Sequence, residues 1–237
     1  MGSTRLPGKV MLDLCGKPVI DHVIERLAQC AELDEIVVAT TDGAADDVLA
    51  ERAAANGVAC FRGSEDDVLS RYYHAARERA LDVVVRITAD CPLIDPAVTC
   101  EVVRFFRVHD YAIVANVGDG PGERTYPRGL DTEVFSFATL AEAFERATRK
   151  DQREHVTPYA YENGRAYCCR NGVDYSRYRW TLDTADDYAL LQAIYERLYR
   201  GKHDFYFMDV VRLMEREPGL ASLNAHVEQK TYGAAGS

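Results

Sequence analysis

The sequence contains no apolar run near the roughly 20 residues that a membrane-spanning helix needs. It also shows no basic, apolar, small-residue leader of the secretory kind at its start, so a cytoplasmic location is expected. Positive charge is scarce: 28 Lys and Arg stand against 38 Asp and Glu, for a formal net charge of −10. Duplex binding rests on neutralising phosphates with a basic surplus or stripe, so no nucleic-acid partner is expected. No polybasic tether to a membrane surface is present either. Small anionic ligands stay open, because a few placed Arg and Lys side chains can build a local positive site. The seven cysteines are odd in number and none has CxxC spacing, which argues against a zinc ribbon or a thioredoxin-like centre. They are expected to be reduced thiols acting as small hydrophobes, with adjacent Cys168 and Cys169 left open as a redox pair.

What is present is the composition of a globular chain. Of the 237 residues 47% are hydrophobic and 28% charged, with 16 Gly and 8 Pro, enough for one sizeable core without staples. Short β-branched runs alternate with amphipathic stretches. Helices are expected at Pro18–Cys30, Ala44–Asn56, Glu65–Ala80 with Ser64 as its cap, and Pro96–Val108. Between them, Glu35–Thr41, Val58–Phe61, Asp82–Thr88 and Tyr111–Ala115 read as strands, the first buried on both faces and the third the clearest buried strand of the chain. This alternation predicts an α/β fold with a mostly parallel sheet and helices on both faces.

The pattern changes after Asn116. Residues 118–129 carry Gly or Pro at six positions and read as a loop. Strands are expected at Leu130–Phe137, Arg165–Arg170 on an edge, and Tyr178–Leu182. Helices are expected at Ala138–Thr148, Asp151–Tyr161 with a break at Thr157-Pro158, Asp186–Tyr199 and Met208–Glu215. Residues 118–176 are therefore expected as an inserted β/α subdomain within a single domain of residues 1–232, followed by a disordered tail, 233–237.

The opening stretch, Gly2 to Lys9 (GSTRLPGK), combines a Gly for close backbone approach, donors from Ser3 and Thr4, and two cations, Arg5 and Lys9. Such a stretch reads equally as an anion-binding loop or as a flexible basic arm. Asp90 follows the Asp82–Thr88 run, and the C-terminal ends of strands are where open α/β sheets place ligands. Asp183 ends another expected strand. Each Asp also suits a turn or a helix cap, Asp183-Thr184 especially.

The segments MGSTRLPGKVMLDLCGKPVIDHVIERL, FRGSEDDVLSRY, RITADCPLIDP, RTYPRGLDTEVF, REHVTPYAYEN and RWTLDTADDY, in this order, resemble the cytidylyltransferases of spore-coat polysaccharide biosynthesis. These are relatives of the acylneuraminate and keto-deoxy-octulosonate cytidylyltransferases. The resemblance implies a Rossmann-like nucleotide-diphospho-sugar transferase fold and transfer of CMP from CTP to an anionic sugar-type acceptor, with release of pyrophosphate. It implies Arg5, Lys9, Asp90 and Asp183 as catalytic groups, with Mg²⁺ held by Asp90 and Asp183. Gly2, Ser3, Arg5, Lys9, Arg62, Ser64 and Asp90 would contact the nucleotide, and a homodimer is expected.

For the acceptor, an acidic sugar calls for a cationic clamp. Tyr126, Arg128, Arg153, His155 and Tyr159 are the candidates, in the region expected as an acceptor-binding and dimerisation subdomain. Arg153 also reads as a surface ion pair and His155 as a structural histidine. Two other functions stay open: a nucleotidyltransferase using another NTP and a sugar phosphate, and an inactive nucleotide-binding scaffold. The resemblance further implies an apolar central strand ending in Ala-Arg ahead of Met1, so the reading frame is expected to start upstream. Without that strand two neighbouring strands are left unpaired.

Overall fold

A computed structural model describes residues 2–3, 5–118 and 124–228. Residues 119–123 of the expected loop and the expected disordered tail, 233–237, lie outside the described residues.

In chain order, a short hairpin pairs β1 (Asp13–Leu14) with β2 (Lys17–Pro18) and leads into α1 (Val19–Leu27). Strand β3 (Val37–Thr41), α2 (Asp47–Ala55) and β4 (Ala59–Gly63) form a parallel unit, β3 on β4. Gly57, at φ +69°, ends the α2 region as its type allows. Then come α3 (Val68–Glu78), β5 (Val83–Arg86), α4 (Pro96–Val108), β6 (Ile113–Ala115), β7 (Glu133–Ser136), α5 (Phe137–Arg146), α6 (Lys150–His155), α7 (Pro158–Asn163) and β8 (Ala166–Cys168). The chain closes with α8 (Ala185–Leu198), α9 (Phe207–Arg216) and α10 (Gly219–Ser222).

Strands β5-β7-β6-β8 make one mixed sheet, in which β7 runs antiparallel to both β5 and β6 while β8 is parallel to β6. Its side chains alternate as the pleat demands. Val84, Ile113 and Phe135 meet Leu69, Ala76, Leu140 and Ala143 of α3 and α5 on one face. Val85, Val114 and Val134 meet Val102 and Val103 of α4 on the other. Helices thus cover both faces, as expected. The segment 118–176 is not set apart from the sheet, however, since β7 lies between β5 and β6, and β8 forms the edge.

Strands β3 and β5 are not paired with each other. A cleft of about 1010 Å³ separates them, walled by Val37–Ala39 on one side and Val83–Arg86 on the other, with Val23 of α1 and Tyr72 of α3 among its lining. Among the described residues, each of these two strands is paired on one side only. The cleft explains why β3, expected to be buried on both faces, is mostly only half-buried.

Three local expectations are corrected. Asp67, not Ser64, caps α3, accepting a hydrogen bond from the Ser70 amide at 2.9 Å; Ser64 Oγ accepts from the Asp67 amide one turn earlier. Residues 178–182 are extended but form no strand, with only a single bridge between Arg179 and Arg128. The break expected at Thr157-Pro158 is present: the Asp151–Tyr161 stretch divides into α6 and α7, with Val156 at φ +74° between them. Cys30 and Cys100 form a disulfide joining the chain just past α1 to α4, with Cα atoms 5.8 Å apart. Linear spacing cannot reveal such a pair at a sequence separation of 70. No helix among the described residues is long and apolar enough to cross a membrane.

Candidate active site

Four elements converge where β5 ends. Pro7-Gly8, with Gly8 at φ +68°, turns the opening loop so that Lys9 starts a short 3-10 turn. The Lys9 Nζ lies 2.6 Å from Asp90 Oδ2 and 2.8 Å from Asp183 Oδ1, so one ammonium joins two carboxylates distant in sequence. The Arg5 guanidinium lies 3.0 Å from Asp183 Oδ2, and Arg179 Nη2 donates to the same oxygen at 2.6 Å. Gly2 lies alongside Glu65, just beyond the end of β4, where a Cβ would come within 3.3 Å of its carboxylate. Ser3 Oγ accepts from the Leu6 amide and so shapes the loop.

Burial and charge oppose each other at this cluster. Burial alone would lower the Lys9 pKa, but Asp90 and Asp183 outweigh it and raise it. Burial alone would raise that of Asp183, but Lys9, Arg5 and Arg179 hold its carboxyl below the usual range. Both groups therefore stay charged near neutrality.

Behind Asp183 stands a layer that sequence reading missed. Asp187, fully buried on the first turn of α8, accepts from Arg179 Nε at 2.9 Å and from the amides of Asp183 at 2.9 Å and Thr184 at 3.0 Å. Asn224, 3% exposed, donates to Asp187 at 2.8 Å and to the Arg179 carbonyl at 2.9 Å. The Thr184 side chain and Asp187 form a capping box for α8, and T-x-x-D was the signal that could have flagged it. The expected cap reading of this segment therefore holds for Thr184, and Asp183 is left free to face Lys9. Gly129, at φ +101°, lets the 128–130 turn press against the 180–181 main chain; a Cβ there would lie 2.6 Å from the Trp180 carbonyl carbon.

The other expected contacts go elsewhere. Arg62 donates to the carbonyls of Thr41 and Gly43 and to the Asp47 carboxylate, clipping the β3 exit to α2. Tyr126 is buried beside Phe207, and desolvation pushes its pKa up to about 12. It is core, because its ring completes the cluster around Trp180. Arg153 pairs with Asp67, donates to the Phe144 carbonyl at 2.7 Å and lies over the Phe144 ring, so it ties α6 to α3 and α5. Tyr159 packs against the α3–α5 cluster. His155 is half-buried, and burial lowers its pKa despite nearby Glu154. Arg128 bridges Arg179 through the main chain and lines a polar cavity of about 250 Å³ with Ser176, Arg177, Arg179 and Asn224. A buried cluster also went unforeseen: Glu133 receives Arg86, the Thr157 hydroxyl at 2.9 Å and the Tyr161 hydroxyl at 3.0 Å.

The donor set fits a small divalent cation. Among the described residues no group of three or more metal-ligating side chains exists. Asp90 and Asp183 do converge on one positive nitrogen, and Mg²⁺ typically takes one or two carboxylates with phosphate oxygens and water completing its shell.

A helix-flanked sheet with carboxylates and cations gathered beyond a strand's C-terminal end is the arrangement of a Rossmann-like nucleotidyltransferase. The cytidylyltransferase family profile matches residues 1–206, and the chain belongs to that family. Over 234 residues it is 30% identical to the spore coat polysaccharide biosynthesis protein SpsF of Bacillus subtilis, covering 94% of this chain and 93% of that one. It is 40% identical over 97 residues to the 3-deoxy-manno-octulosonate cytidylyltransferase of Anaeromyxobacter dehalogenans, covering 40% of this chain and 39% of that one. A solved cytidylyltransferase from Leptospira borgpetersenii superposes with a TM-score of 0.88 at 32% identity, covering 98% of this chain and 95% of the other.

Proposed function

We propose that this protein transfers CMP from CTP to the hydroxyl of a sugar acid or related anionic acceptor, releasing pyrophosphate, in the making of a surface glycan. The observation that carries the reading is the Lys9 bridge between Asp90 and Asp183 in a chain whose family match spans residues 1–206. Such a reaction is positioning plus charge stabilisation: an acceptor oxygen attacks the α-phosphorus in line while charge grows on the leaving pyrophosphate.

Arg5 and Lys9, released from the carboxylates, are placed to receive the β- and γ-phosphates and the leaving charge. Asp90 and Asp183 would hold Mg²⁺, which supplies Lewis-acid neutralisation of the phosphate oxygens when bound. Arg179 then keeps Asp183 paired while Lys9 turns to substrate. For the acceptor carboxylate, Arg128 is the cationic candidate, because it lines the cavity of about 250 Å³.

The test is pyrophosphate release with each of the four NTPs, magnesium and a panel of sugar acids and sugar phosphates. Release with CTP and a sugar acid supports the reading. Release with UTP or GTP and a sugar phosphate, but not with CTP, overturns it. CTP binding by calorimetry without turnover would instead mark an inactive binding protein.

A further inference from the structure

We propose that Asn224 is a positioning residue for the reaction, holding the Asp183 carboxylate in place through Asp187 and Arg179. This rests on the nucleotidyl-transfer reading above. Asn224 lies past residue 206, where the family match ends, in the turn after α10, and it never touches the reacting groups.

The link is continuous. Both hydrogens of the Asn224 amide are used, one on Asp187 Oδ1 at 2.8 Å and one on the Arg179 carbonyl at 2.9 Å. Asp187 is fully buried, and its carboxylate, with about four lone-pair sites, is filled by Asn224, Arg179 and the Asp183 and Thr184 amides. The single charge of Arg179 is therefore divided: Nε and Nη2 face Asp187 at 2.9 and 3.3 Å, while Nη2 also holds Asp183 at 2.6 Å.

Removing the Asn224 amide leaves the fully buried Asp187 Oδ1 short of a donor. The nearest remaining source is Arg179, which must turn further toward Asp187 and loosen its grip on Asp183. The Arg179 carbonyl loses its partner in the same step, freeing the backbone that sets the guanidinium's angle. Asp183 would then keep Lys9 and Arg5 but lose the contact that persists when those two engage phosphate. A side chain remote from the chemistry thereby sets the geometry of one of the two carboxylates.

The test uses the full chain with Asn224→Leu, which is nearly isosteric and donates nothing, and Asn224→Ser, a smaller polar replacement that covers the case in which the leucine variant does not fold. Asn224→Gln keeps both donors. Leu223→Ala, at an exposed neighbour, serves as control for general loosening of this segment. The readouts are kcat and KM for CTP well below each variant's melting temperature, and Mn²⁺ affinity by electron paramagnetic resonance. The leucine and serine variants should lose about tenfold or more in kcat and in Mn²⁺ affinity, with KM for CTP changed far less. The glutamine variant should recover part of both, and Leu223→Ala should match the parent. Parent-like kcat and Mn²⁺ affinity in whichever of the leucine and serine variants folds overturns the proposal, whatever the change in melting temperature. A parent protein inactive with every NTP overturns the functional reading itself, and the proposal with it.

Discussion

The carboxylate of Asp183 lies 2.8 Å from the ammonium of Lys9, although 174 residues separate them in the chain. The same ammonium holds Asp90, so the opening loop is fixed to the ends of two distant segments by one side chain. Several expectations for the molecule rest on this knot.

Replacing Asp90 by Asn keeps the side chain's size and removes its charge. Turnover of CTP should fall at least about a hundredfold, the scale typical of losing a preorganised charged group at a reacting centre. The fold should persist, since Lys9 retains Asp183. Circular dichroism alongside a pyrophosphate assay checks both halves, and full activity in this variant would exclude Asp90 from the site.

The pH dependence of stability follows from the two shifted groups. Asp183 has its folded pKa depressed, so its contribution is present above the unfolded value of about 3.9 and is lost as pH falls through the folded one. Lys9 has its folded pKa raised, so its contribution is complete below about 10.4 and is lost as pH rises through the folded value. Melting temperatures of Lys9→Met and the parent should therefore differ most between these limits and converge toward both extremes. A constant difference from pH 3 to 11 would contradict the charge pairing.

Gly129→Ala should destabilise the protein without touching a charged group. The residue sits at φ +101°, and the added carbon would lie 2.6 Å from main-chain atoms of Trp180, which cannot swing aside as a flexible side chain can. A loss of about 2 kcal/mol or more is expected, equivalent to a drop of about 4–8 °C in Tm for a chain of this size. An unchanged Tm would mean that the 128–130 turn packs differently.

The cleft between β3 and β5 should appear in hydrogen exchange. Amides of β6 and β7, each flanked by partner strands and covered by helices, should exchange slowest. Amides of β3, paired only with β4 and bordering a space of about 1010 Å³, should exchange markedly faster. Equal protection of the two groups would show that the cleft is closed in solution.

Much of this was legible in the chain before folding. The helical patterns located α1 and α4, and a β-branched run located β3, to within a few residues, because these signals are local in the chain. Arg5, Lys9, Asp90 and Asp183 were readable as candidates from their residue types and their places beside loops and strand ends. For Tyr126 and Arg153 the chain alone left the partner open, for one shared reason. An aromatic or an arginine in a Gly/Pro-rich or helix-opening context looks the same whether it faces a ligand or packs against Phe207 or Asp67, and only the partner decides.

The sequence by itself determined the α/β character, the family and the charged residues from which a site can be built. All of these depend on local periodicity or on contiguous motifs. The tertiary structure alone decided that Lys9 joins two carboxylates, that Arg179, Asp187 and Asn224 stand behind Asp183, that Cys30 meets Cys100, and that β7 lies antiparallel inside the sheet. Each is a pairing across many residues, fixed when the strands and helices bury their apolar faces together. No local pattern encodes which distant partner that burial will bring within hydrogen-bonding range.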